Sequence, residues 1–180
     1  MTAAPELRAA LVQLRARVDA HFDAAVARTP EAYACREGCD RCCQRISVFA
    51  VEAAPIREAL ADLGRRDPAL RQRIRRQADD PSLADRCALL VDGQCSVYSA
   101  RPLICRSHGL PVAVDGRVDV CPLNFQDPEE RPPAASVLRL DAVNQPLAVL
   151  AELWRRDEGG ASPTRIELAA LAAADDPPEG

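Results

Sequence analysis

The sequence of 180 residues has no lysine, only two histidines and only six aromatic side chains: Trp154, Tyr33, Tyr98, Phe22, Phe49 and Phe125. Its apolar fraction of 48% includes 33 alanines. Alanine buries little surface, so the core gains less from burial than the percentage implies. No run approaches about 18 consecutive apolar residues, which excludes a transmembrane helix and, with it, an expected membrane partner. Two histidines exclude a histidine-rich catalytic metal site, and no Ser-His-Asp arrangement, P-loop or dinucleotide fingerprint competes. All 23 basic residues are arginine, as GC-rich codon usage produces. A net charge of -4 and a pI near 5.3 speak against a nucleic-acid partner. The basic run Arg65 to Arg76 is followed at once by Asp79, Asp80 and Asp85, and reads as a solvated helix face.

Cysteine is the residue present in excess, with eight copies. The start, Met1-Thr2-Ala3-Ala4-Pro5-Glu6, has no basic region leading into a continuous apolar segment, and Arg8, Arg15, Arg17 and Asp19 break up the residues after it. The expectation is therefore a cytoplasmic protein whose thiols stay reduced. In that setting eight cysteines read as metal ligands and not as four disulfides.

The expected fold class is α+β: a small, helix-dominated domain with two short β-hairpins around a cysteine-ligated metal centre. Leu7, Leu11, Leu14, Val18, Phe22 and Val26 recur at helical spacing, so residues 5–28 form an amphipathic helix that Thr29-Pro30 stops. A second helix is expected over 48–63, with Val51, Ile56, Leu60 and Leu63 inward and Gly64 as its stop. Asp67-Pro68 opens a third helix, polar except for Leu70 and Ile74, that runs to about Gln77. Asp92-Gly93 and Asp115-Gly116 each join two apolar runs, 87–91 with 94–97 and 112–114 with 117–120, as two-residue hairpin turns. A last helix over 143–156 buries Leu147, Leu150, Leu153 and Trp154. The organisation expected is an N-terminal helix (1–30), a cysteine-cluster metal-binding domain (31–126), a linker and C-terminal helix packed on it (127–160), and a partly disordered tail (161–180).

The first cluster is Cys35-x3-Cys39-x2-Cys42-Cys43, and Cys87, Cys95, Cys105 and Cys121 come later at wider spacing. Short gaps bring neighbouring thiolates to one metal, at about 2.3 Å, with little closure entropy. The second set needs the fold to assemble it. Consecutive residues in an extended segment point to opposite faces. Cys42 and Cys43 thus serve two metals, or two irons of one cluster, more easily than a single ion. This favours a shared centre in which near and distant cysteines mix. Four thiolates on a divalent ion leave a charge of -2, costly to bury without partners. Arg36, Arg41, Arg45, Arg101 and Arg106 lie close to cysteines in sequence. Arg101 and Arg106, which flank Pro102-Leu-Ile-Cys105, are the stronger candidates to donate N–H···S bonds to the centre. His108, three residues after Cys105, is a candidate ninth ligand, a proton carrier or a loop residue. The spacing of Cys35, Cys39 and Cys42 also matches the cluster loop of radical S-adenosylmethionine enzymes. Their barrel does not fit this length or helix-hairpin order.

Taken together, Cys35…Cys39…Cys42-Cys43, Cys87…Gly93-Gln-Cys95-Ser-Val-Tyr98, Arg101-Pro102-Leu-Ile-Cys105-Arg106 and Cys121-Pro122 resemble the YkgJ-like cysteine-cluster family of zinc- or iron-chelating domains. The three-residue gap after Cys35 departs from the family's usual two. The resemblance implies a metal cofactor, an iron–sulfur cluster or zinc, with metal ions as the partner and a protein partner left open. Among the family's relatives is a flagellin lysine N-methylase. It is longer than this chain, which has no glycine-rich loop for that methyl donor. Three readings stand at this point: a cysteine-cluster metalloprotein with an iron–sulfur or polynuclear iron or zinc centre, a structural zinc module that binds a partner, and a metal-dependent redox or methyl-transfer enzyme. No catalytic residue follows from the sequence.

Overall fold

The computed structural model describes residues 4–36, 38–127, 129–160 and 163–176, and over these the chain is an α+β fold dominated by helix. In chain order the elements are α1 (Ala4–Arg28), β1 (Ser47–Phe49), α2 (Ala50–Arg66), α3 (Pro68–Asp79), β2 (Leu90–Val91), β3 (Gln94–Cys95), α4 (Leu103–Ser107), β4 (Val112–Val114), β5 (Arg117–Asp119), β6 (Leu138–Arg139), α5 (Asp141–Asp157), β7 (Arg165–Glu167) and α6 (Leu168–Ala173).

Helix α1 buries the expected stripe of Leu7, Leu11, Leu14 and Val18, and ends where Pro30 pushes Thr29 out of the helical region. Two apolar cores result, and α2 contributes to both. Ala53, Ile56, Leu60 and Leu63 pack with Ile74 and Ala78 of α3, with Leu89 and Val91 at the first hairpin, and with Leu168 and Leu171 of α6. Ala50, Val51 and Ala54 pack instead with α1, with Leu103 of α4, and with Val143, Leu147 and Trp154 of α5. Five consecutive residues, Ala50 to Ala54, are buried, so the first turn of α2 has no solvent face. Trp154 is the expected anchor, but Leu153 lies on the outer face of α5 at 42% exposure.

Both hairpins form. Asp92-Gly93 and Asp115-Gly116 all take positive φ, 51° and 77° in the first turn and 49° and 75° in the second, which matches the twist of the flanking strands. A third strand joins the second hairpin: β6 runs parallel to β4, pairing Leu138 with Val112, and the Leu138 amide bonds the Pro111 carbonyl at 2.8 Å. His21 ties the 134–136 turn back to α1, with Nε2 3.2 Å from the Ser136 carbonyl.

The expected stop of α2 is corrected. Gly64 does not stop α2, which runs on to Arg66 and ends at Asp67-Pro68. Asp67 then caps α3, its carboxylate accepting from the Leu70 amide at 2.9 Å. Gly64 is a site of close approach instead, because a Cβ there would stand 2.8 Å from Asp176 Oδ2. Residues 165–173, within the expected tail, carry elements that the sequence reading does not place. Here β7 pairs antiparallel with β1 (Val48 opposite Ile166), and α6 buries Leu168, Leu171 and Ala172. A six-residue, alanine-rich helix is too short for its period to stand out in sequence. Residues 177–180, the end of the expected disordered segment, lie outside the described residues.

One arginine locks this C-terminal unit down. Arg71 of α3 is 3% exposed. Its guanidinium donates to the Ala172 carbonyl at 2.6 Å, the Ala174 carbonyl at 2.6 Å and the Asp176 carboxylate at 2.9 Å. The two carbonyls are among the orphan acceptors at the end of α6. Replacing Arg71 by Met strands the two carbonyls and leaves Asp176 to Arg75, which bonds it at 2.8 Å. It is expected to cost about 2–3 kcal/mol, discounted because Asp176 is partly solvated. Urea unfolding measures this; an unchanged midpoint would show that the latch contributes nothing.

Candidate metal centre

The first four cysteines lie on the turns between α1 and β1. The Cys39 amide bonds the Arg36 carbonyl at 3.0 Å, with Gly38 at φ 86°, and the Cys43 amide bonds the Asp40 carbonyl at 2.9 Å. Cys87 enters the first hairpin, Cys95 sits in β3 opposite Leu90, Cys105 lies in α4, and Cys121 comes just after β5. The backbone joins the two groups. The Cys87 amide bonds the Cys43 carbonyl at 3.0 Å, and Gln44 forms an antiparallel bridge with Arg86.

All eight cysteines are free thiols. Their electrostatic neighbourhoods divide them. Cys35 is repelled by Cys121, Cys39 and Cys42, while Cys43 is repelled by Cys87, Cys105 and Cys95. Cys105 feels Cys87, Cys95 and Cys42. Each neighbourhood thus mixes cysteines of the first loop with distant ones. Burial pushes the Cys35, Cys87 and Cys95 thiols up, and burial together with neighbouring thiols pushes Cys105 up to about 12. Cys42 donates its S–H to Cys43, which raises Cys42 and lowers Cys43. The thiols are neighbours and not a closed coordination shell: among the described residues no three His, Cys, Asp or Glu side chains are arranged to hold one ion. The donor chemistry nonetheless fits a soft or borderline metal, since crowded, unpaired, partly buried thiols are the ligands that zinc and iron–sulfur centres take.

Arginines surround this region in distinct ways. Arg45 and Arg101 sit close enough to favour the thiolate forms of Cys87 and Cys95 respectively. Arg45 also donates to the Ala78 carbonyl at 2.9 Å, and the Arg101 guanidinium lies 3.9 Å over the Tyr98 ring. Arg36 and Arg41 are exposed. Arg106 turns away from sulfur. It is 9% exposed and donates to the Arg101 carbonyl at 2.9 Å, to the Ser99 carbonyl and to Asp19 of α1. In this way it supports α4, and hence Cys105, from behind. Glu52 of α2 does the same from the other end: 3% exposed, it accepts the Leu103 amide at the start of α4 at 2.8 Å. His108 caps α4, its backbone amide bonding the Ile104 carbonyl at 3.2 Å, and the residue is exposed.

Sequence reasoning does not single out Asn124 or Gly109. Asn124 is 1% exposed and lies against Cys35, three residues after Cys121. Its neighbour Phe125 takes φ 51°, bonds the Ala32 carbonyl at 2.9 Å and packs edge-on against Tyr33 at 5.3 Å. Gly109, at φ 96°, presses its backbone against the Cys35 sulfur. The only sequence signal for either is its place beside a cysteine segment.

Residues 34–122 match the model of the CxxCxxCC family, described as "Putative zinc- or iron-chelating domain". That match spans all eight cysteines, and through this domain the chain belongs to the family. The chain is therefore a cysteine-cluster metal-binding protein. No curated protein and no solved structure matches it. No helix among the described residues is long and apolar enough to cross a membrane.

Lysine in place of Arg106 keeps the charge beside Asp19 but cannot fork to two carbonyls as well. Arg106→Lys is expected to cost about 1–3 kcal/mol by chemical denaturation. A loss too small to measure would mean that α4 is held by Glu52 and apolar packing alone.

Proposed function

We propose that Cys35, Cys39, Cys42, Cys43, Cys87, Cys95, Cys105 and Cys121 together hold an iron–sulfur or polynuclear iron or zinc centre, iron–sulfur before zinc, in a cytoplasmic protein. The observation that carries this reading is the position of the adjacent pair. Cys43 keeps company with Cys87, Cys95 and Cys105, whereas Cys42 neighbours Cys35 as well as Cys105. Two consecutive thiols whose neighbours overlap only in part suit a centre with more than one metal atom better than two separate knuckles. When bound, iron would supply electron transfer or Lewis acidity, and zinc would supply Lewis acidity or cross-linking alone. The chain's own part is to present the thiols, and Arg45 and Arg101 lend positive charge near Cys87 and Cys95 to offset the thiolates.

A structural zinc module is the second reading. It is favoured by the sparse regular structure of the loops that carry the cysteines, which an ion could cross-link with about 10–16 kcal/mol of binding free energy. Anaerobic purification and then elemental analysis separate the two. Iron with matching acid-labile sulfide and absorption near about 400 nm is the expected result. Colourless protein with about two zinc ions per chain would replace the first reading by the second. Metal-free protein that takes up neither ion would end both.

A further inference from the structure

Cys35 stands apart in the set. A three-residue gap separates it from Cys39, and the thiols that act on it most are Cys121, Cys39 and Cys42. A longer gap weakens the positional control that a tight knuckle provides. Something else must fix this sulfur, and the fold supplies it from residues 109–124.

The Asn124 side chain is buried where three backbone segments meet. Its Oδ1 accepts the Ala34 amide at 2.8 Å. Its Nδ2 donates to the Gly109 carbonyl at 2.7 Å and to the Cys35 sulfur at 3.5 Å, which also lies 4.0 Å from Oδ1. The Ala34 N–H can face only an acceptor, and the Gly109 carbonyl only a donor. These two bonds settle which end of the amide is oxygen and aim the nitrogen at sulfur. The Asn124 backbone amide in turn bonds the Cys121 carbonyl at 2.8 Å. On its other side the sulfur meets Gly109, where any Cβ would collide with it.

We propose that Asn124 is the positioning residue for Cys35: with Gly109 as the opposing wall, it holds this sulfur as a ligand of the metal centre beside Cys121 and compensates for the wider gap before Cys39. The assignment rests on the metal-binding reading above. It makes Cys35 dependent on Asn124 while Cys87, Cys95 and Cys105, fixed by hairpin and helix, are not.

The test is alkylation of the full-length chain by iodoacetamide, with and without excess Zn2+, read thiol by thiol by mass spectrometry. In the wild type, Zn2+ is expected to protect all eight cysteines. Asn124→Asp is nearly isosteric and keeps the acceptor for Ala34, but it turns the donor to Gly109 and Cys35 into a carboxylate. With Zn2+ present, Cys35 in this variant is expected to react about tenfold faster than in the wild type, as loss of one hydrogen bond to a charged sulfur permits, while Cys87, Cys95 and Cys105 stay protected. Gly109→Ala, which keeps the Asn124 side chain but crowds the sulfur and strains the backbone at φ 96°, is expected to give the same pattern. A fold defect alone would expose every thiol alike. Equal acceleration at all eight, or unchanged protection of Cys35 in both variants, overturns the assignment. A wild-type chain whose thiols react equally fast with and without Zn2+ overturns the zinc reading, and this assignment with it.

Discussion

The first turn of α2 is wrapped on every side, and most of the architecture derives from that burial. Ala50, Val51 and Ala54 face one core, Ala53 and Ile56 the other, and Glu52 has nowhere to reach water. A buried carboxylate is costly unless it is bonded. Here it accepts the leading amide of α4 and lies near Arg15, so burial raises its pKa while those partners oppose the rise. The two cores are thereby tied to one short helix that carries a cysteine.

The exclusive use of arginine has structural consequences beyond charge. Arg45, Arg71, Arg106 and Arg165 each donate to backbone carbonyls, and Arg71 and Arg106 are themselves buried. A guanidinium presents several donors in a fixed plane, so one side chain closes several loop or helix-end acceptors at once. In a chain with six aromatics and many alanines, these polar clamps do part of what large side chains do elsewhere.

Legibility in the sequence tracks the range of the forces involved. Helix α1 and the two Asp-Gly hairpins are local: a repeating apolar spacing and a turn that demands positive φ announce themselves. Helix α4 is five residues long and depends on Glu52, fifty-one positions before its first residue, so no local pattern marks it. Helix α6 and strand β7 depend likewise on Arg71 and β1. In the cysteine region, the mixing of near with distant thiols is readable from the vicinal pair. The division of neighbours is not, because it arises from tertiary packing. Asn124 is invisible for the same reason: an asparagine in a loop looks like any other until three segments close over it.

The backbone bonds that zip Cys43 to Cys87, and Gln44 to Arg86, are made by the chain alone. They bring the two cysteine segments side by side through the main chain. The ordering of these segments is thus shared with the rest of the fold. An ion bound between these segments would draw on strands of chain that the fold already ties together, and preorganisation of that kind favours retention.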